Sequence, residues 1–261
     1  MEDLLAHPWV QGGLGPLAAG IAAALVLSPL RLSGLAAACG FFAAVYLTGE
    51  LEFEKKLLTV ALAAALLGAL ADVAFRPTRT AGIVLGIVFG IAAFWIFVTI
   101  IGQMPAQRLV LYALGVTVLV AAAVAFSVLS QGEPLRAGAA GMGLGLATGI
   151  LALLGGANLL GLWGFGLAAG SAGFLLVALI LGPRVVAGAS FTLSIGVIGA
   201  ALTAAVVLQS GLRWYYAAAL ALVPLVVRLP APRSRPGEAV VALFYALAVG
   251  GGVCVLVWMG K

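Results

Sequence analysis

One acid lies well inside an apolar run. Asp72 stands in LGALADVAF, residues 67–75. A carboxylate among apolar residues is costly in a bilayer and often serves as an ion or proton site. Arg76 follows four residues later, and at helical spacing this offers a plainer reading, an ion pair near the membrane edge. A second polar group is GASFTLSIG, residues 188–196, which holds Ser190, Thr192 and Ser194. Ser190 and Ser194 share a helical face, and Thr192 lies off it. Such hydroxyls can line a polar path, bond to the preceding turn or hold two helices together. Thr203, Gln209 and Asn158 extend the polar inventory without forming a constellation.

The remaining reactive types are sparse. GELEFEKK, residues 49–56, gathers Glu50, Glu52 and Glu54 with Lys55 and Lys56, and reads as a solvated connection able to attract cations. His7 has no ligand-type neighbour, so no metal site is expected. GMGLGLATG, residues 141–149, follows no strand and lacks the acid that a dinucleotide fingerprint requires. No HExxH, serine or cysteine triad pattern or paired catalytic carboxylates occur, so neither an enzyme nor a bound cofactor is expected.

The elements that must position these residues are membrane helices. Of 261 residues, 64% are hydrophobic and 8% are charged. A soluble surface needs about 25% charged residues. Crossing a bilayer takes roughly 20 apolar residues. Ten candidate runs appear: Trp9–Leu27, Leu32–Thr48, Leu57–Phe75, Thr80–Ile101, Leu109–Leu129, Ala137–Gly155, Leu159–Leu181, Val185–Leu208, Trp214–Val227 and Ala239–Met259. They do not alternate apolar and polar residues as barrel strands do. The expected fold is therefore an all-α polytopic membrane protein of about ten helices, with the lipid bilayer as its principal partner. Net charge is +5, but the bases stand singly or in small groups between apolar runs, which argues against nucleic acid.

Short turn-forming stretches join the runs: SPLR, RPTR, QGEPLR, GPR and the proline-rich RLPAPRSRPGE. The weakest boundary is GGAN before Asn158, and the ninth run is short. MEDLLAHPWV is acidic, whereas a signal peptide opens on positive charge, so the first run reads as a retained span. Cys39 and Cys254 lie in apolar runs and read as small buried hydrophobes.

The chain nearly repeats itself. GLAAACGF at residues 34–41 returns as GLAAGSAGF at 166–174. Setting run one against run six, and so on, gives start-to-start offsets of 128, 127, 128, 134 and 130 residues. Two halves, 1–130 and 131–261, follow, each with five runs. Because five is odd, the halves must enter the membrane from opposite sides, as in transporters with inverted repeats. Eight Lys and Arg residues fall on the odd-numbered connections and five on the other face. By the positive-inside rule both termini are then outside the cytoplasm, in a plasma (inner) membrane. The layout is similar to that of drug/metabolite transporters, bile-acid symporters and auxin carriers. It lacks their motifs, and the termini differ from the cytoplasmic ones of the first group.

Glycines form ridges at Gly82, Gly86 and Gly90 and at Gly141, Gly145 and Gly149, spacings that bring helix backbones close. Pro224 breaks the ninth run, and Gly90 is its counterpart in the fourth at an offset of 134. Interrupted helices in matching positions mark transporter sites. The expected site is a mid-membrane crossing of runs four and nine, shared with Ser190, Thr192 and Ser194 and with Asp72 on the path. The expected function is transport of a small, neutral or weakly polar solute. The alternative is a non-transporting scaffold or assembly subunit that binds a second copy or another membrane protein through its glycine ridges.

Overall fold

Apolar chain in lipid must satisfy its backbone internally, and this chain does so with helices. The computed structural model describes residues 7–49, 55–74, 79–232 and 234–260. Ten helices are found among them: α1 Val10–Leu30, α2 Ser33–Thr48, α3 Lys55–Ala74, α4 Arg79–Ile101, α5 Ala106–Val128, α6 Pro134–Leu154, α7 Asn158–Leu181, α8 Gly188–Ser210, α9 Trp214–Val226 and α10 Arg235–Met259. No strand occurs among the described residues.

Eight of the ten are long and apolar enough to cross a membrane. The exceptions are α2 and α9. At 1.5 Å per residue they reach about 24 Å and about 20 Å, short of the ~30 Å hydrocarbon core. α2 loses its start to a 3-10 turn at Ser33–Leu35. α9 is divided after Ala221, because Pro224 has no N–H to continue the first segment. The GGAN boundary is a turn: α6 ends at Leu154, Gly156 takes φ +80°, and α7 begins at Asn158.

α8 is the central helix. Its most apolar 18-residue window is 94% buried, against 28% for α5 and 33% for α3, α4 and α10. A helix that is apolar all round belongs inside a bundle. α3, α5, α6 and α7 surround it, α1 and α2 pack on α7, α10 packs on α6, and α4 lies along α5. The outer helices turn Ile, Val and Leu outwards, as a lipid-facing surface requires.

Glycine sets the closest approaches. Gly170 of α7 lies between α1 and α2: a Cβ on it would stand 2.7 Å from the Ala36 carbonyl oxygen and 2.8 Å from Gly40 Cα. Gly141, Gly145 and Gly149 meet α7 at Ser171, Ala168 and Phe165, whereas Gly86 and Gly90 meet α5 at Ala121 and Thr117. The surroundings of Gly82 lie outside the described residues.

Two aromatics near helix ends are interior. Trp163 is fully buried, its indole N–H donates to Thr48 Oγ1 at 3.1 Å, and Phe41 packs on it edge-on. Tyr216 is also buried. Trp9 and Trp258 are exposed, consistent with a headgroup position.

Candidate functional site

The residues with chemical potential converge on the first turn of α8. A helix begins with N–H groups that have no intrahelical acceptor, and they carry partial positive charge. Here the acceptor comes from another helix. Asp72, near the end of α3, takes the Ala189 N–H on Oδ1 at 2.7 Å and the Ser190 N–H on Oδ2 at 2.9 Å. The carboxylate is half-buried and caps a helix that begins 116 residues later, at Gly188.

Glycines make room for this clasp. Gly188, at φ +61°, faces the Asp72 carboxylate, and a Cβ there would run into it. Gly68 lies one turn before Asp72 on α3, and a Cβ on it would stand 2.7 Å from Ser190 Cα. Gly34, at the start of α2, abuts the Ala187 carbonyl and the Ser190 hydroxyl. Polar contacts complete the ring. Ser33 Oγ donates to the Val186 carbonyl at 2.9 Å, the Gly188 N–H reaches the Gln131 carbonyl at 3.4 Å, and Gln131 Nε2 donates to Thr192 Oγ1 at 3.4 Å.

The three expected path hydroxyls are fully buried. Thr192 donates to the Gly188 carbonyl and Ser194 to the Ser190 carbonyl, each four residues back along α8. Ser190 Oγ has no hydrogen-bond partner among the described residues. Asp72 and Ser190 thus meet, with Thr192 in the same cluster. Arg76, the alternative partner of Asp72, lies outside the described residues, as do Glu50, Glu52 and Glu54.

Gly90 and Pro224 are not part of this cluster. α4 runs unbroken through Gly90, which faces the Thr117 carbonyl of α5. Pro224 is buried in α9, and α9 packs on α5, α6, α8 and α10. The anticipated crossing of α4 with α9 is replaced by two separate packings, because a glycine that permits a bend is used here for close contact. Gly34, Gly68, Gly188, Ser33 and Gln131 were missed in the sequence reading. The available signal was Gly68 four residues before Asp72, which puts a small residue and an acid on one face.

Apolar grooves lie on the flanks. One of about 630 Å³ runs between the start of α1 and helices α6 and α7, past Trp9, Gly12, Met142, Phe165 and Ala169. Another of about 400 Å³ separates α5 from α9 beside Gly115, Phe126 and Trp214. Among the described residues no group of three His, Cys, Asp or Glu could hold a metal ion. No family model, no curated protein and no solved structure matches the chain.

Proposed function

We infer that this chain is a permease for a small, neutral or weakly polar solute, built from two five-helix halves of opposite orientation. One observation carries the reading: the two near-identical stretches touch. Gly40, in GLAAACGF on α2, lies against Gly170, in GLAAGSAGF on α7. α3 likewise packs on α8, its counterpart at nearly the same offset. A pseudo-two-fold axis in the membrane plane brings counterpart helices together along the axis. Chance similarity gives no reason for matched stretches to meet. The adjacent pairs α1–α2 and α6–α7, and α4–α5 and α9–α10, correspond as well.

The contacts of the two halves are unequal: α1 packs on α7 and α6 on α8, with no comparable α6–α2 or α1–α3 packing among the described residues. α10 packs on α6, but its counterpart α5 packs on α8 rather than on α1. In transporters of this kind one repeat rocks against the other to change which side is open. On this reading the opposite state has the α4–α5 hairpin against α1 and the α9–α10 hairpin against α3. Asp72 then anchors α3 to α8 at the pivot and does not bind solute. The near absence of interior charge favours a neutral solute. The Lys and Arg asymmetry favours a plasma membrane setting with both termini outside the cytoplasm.

A specific observation also favours the scaffold reading. α8 is buried without a break from Gly188 to Val207, and two of its three path hydroxyls bond to their own helix. The test is counterflow in proteoliposomes preloaded with a panel of neutral polar solutes. Saturable exchange of at least one solute supports the permease. Exchange equal to that of protein-free vesicles across the panel supports the scaffold.

A further inference from the structure

A polar pocket of about 250 Å³ opens where α6 and α10 begin and α7 ends, on the face that bears the odd-numbered connections. Glu133, Pro134, Ala178, Gly182, Arg235 and Glu238 line it. Arg136 stands beside the pocket and is committed elsewhere. Its Nε donates to Glu238 Oε1 at 2.8 Å, and its Nη1 donates to the Arg228 carbonyl at 3.1 Å. Glu133 Oε2 stands 3.6 Å from Arg136 Nε, an ion pair too long for a hydrogen bond, and the Glu133 side chain is 38% exposed. That oxygen is buried and has no hydrogen-bond partner among the described residues. On the other side Arg235 is exposed, and its guanidinium lies over Gly182, where a side chain would collide with it. No hydrogen bond or ion pair of Arg235 occurs among the described residues.

We propose that this pocket binds a phosphoethanolamine group: a primary ammonium at Glu133 joined by a short linker to a phosphate at Arg235. The two glutamates and two arginines sum to zero charge, so the pocket suits a ligand that carries both signs. Beside its ion pair with Arg136, Glu133 keeps an acceptor oxygen with no hydrogen bond, which an ammonium N–H can fill and a quaternary ammonium cannot. Guanidinium pairs well with phosphate through its fork of donors. The pocket lies where apolar helix gives way to charged connections, which is the headgroup level of a bilayer. A phospholipid is therefore the nearest source of the group, and free phosphoethanolamine is the other. The inference stands whether or not the chain transports.

The test is native mass spectrometry of the full chain, delipidated in detergent, titrated with phosphatidylethanolamine or phosphatidylcholine of identical acyl chains. The wild-type protein is expected to retain the ethanolamine lipid about tenfold better, the worth of one charge-assisted hydrogen bond. Glu133→Gln is expected to remove that preference. Arg235→Ala is expected to weaken both lipids, and Arg213→Ala on the other face to change neither. Competition with free phosphoethanolamine separates the sources: displacement of the lipid identifies the headgroup alone as sufficient, and no displacement identifies the lipid. Unfolding temperatures of the variants exclude misfolding, and Arg235→Ala serves if Glu133→Gln does not fold. Equal retention of the two lipids by the wild type, or an undiminished preference in Glu133→Gln, overturns the proposal.

Discussion

The carboxylate of Asp72 on α3 accepts the backbone N–H of Ser190, 118 residues away, at the first turn of α8. With the neighbouring bond from Ala189, it places a negative charge on the positive end of the most buried helix in the molecule. The acid is therefore structural first, and any coupling role would have to act through the seat of α8.

Asp72→Ala removes both acceptors and leaves two N–H groups of α8 without partners. It is expected to lower stability by about 2–4 kcal/mol, for two half-buried charge-assisted bonds. Asp72→Asn keeps one acceptor oxygen but turns an NH2 towards the other N–H, and should cost about 1–3 kcal/mol. Thermal unfolding of purified protein in detergent measures both. Variants as stable as wild type would show that the clasp contributes little.

Gly170→Ala puts a methyl group between α1 and α2, against the Ala36 carbonyl and Gly40. Overpacking of this kind costs about 1–3 kcal/mol. Gly251→Ala is the control, because a Cβ there meets nothing within 4 Å. An exposed helical Gly→Ala change of this sort should be neutral or stabilising by up to about 1 kcal/mol. Chemical unfolding of the two variants side by side gives the comparison, and equal effects would contradict the close three-helix contact.

The charge asymmetry predicts which face is which. Single cysteines at Gly132, Pro183 and Pro232, in a background with Cys39 and Cys254 replaced by Ala, should be shielded from an impermeant thiol reagent in intact cells. Cysteines at His7, Gly156 and Gly211 should be labelled. The reverse pattern rejects the orientation, and a pattern mixed within either set rejects the order of the helices.

The helices were legible because lipid imposes apolar length and leaves the backbone no other way to bond itself. What was not legible was which face of each helix meets which neighbour. Gly90 and Pro224 stood out as local oddities, yet their roles depend on which helices they meet: Gly90 faces Thr117 of α5, and Pro224 lies in α9 against α5, α6, α8 and α10. Trp163 lies near a helix end, where tryptophan is common at the membrane edge, but the small residues of α2 admit it to the interior, where Thr48 satisfies its N–H. Asp72 was identifiable as an exceptional acid. Its ligand was not, because backbone N–H groups at the start of a helix carry no side-chain signature.

The most direct measurement of the central claim is a distance distribution between spin labels at Gln103, in the α4–α5 turn, and Gly13, at the start of α1, by double electron–electron resonance in nanodiscs. Gln103 is exposed and a Cβ at Gly13 meets nothing within 4 Å, so both sites accept a label. If the halves exchange conformations, the α4–α5 hairpin spends part of its time against α1, and two populations are expected, the shorter enriched by any solute that favours that state. A single narrow population, unchanged across solutes and pH, would contradict the exchange and leave the chain as a fixed membrane scaffold.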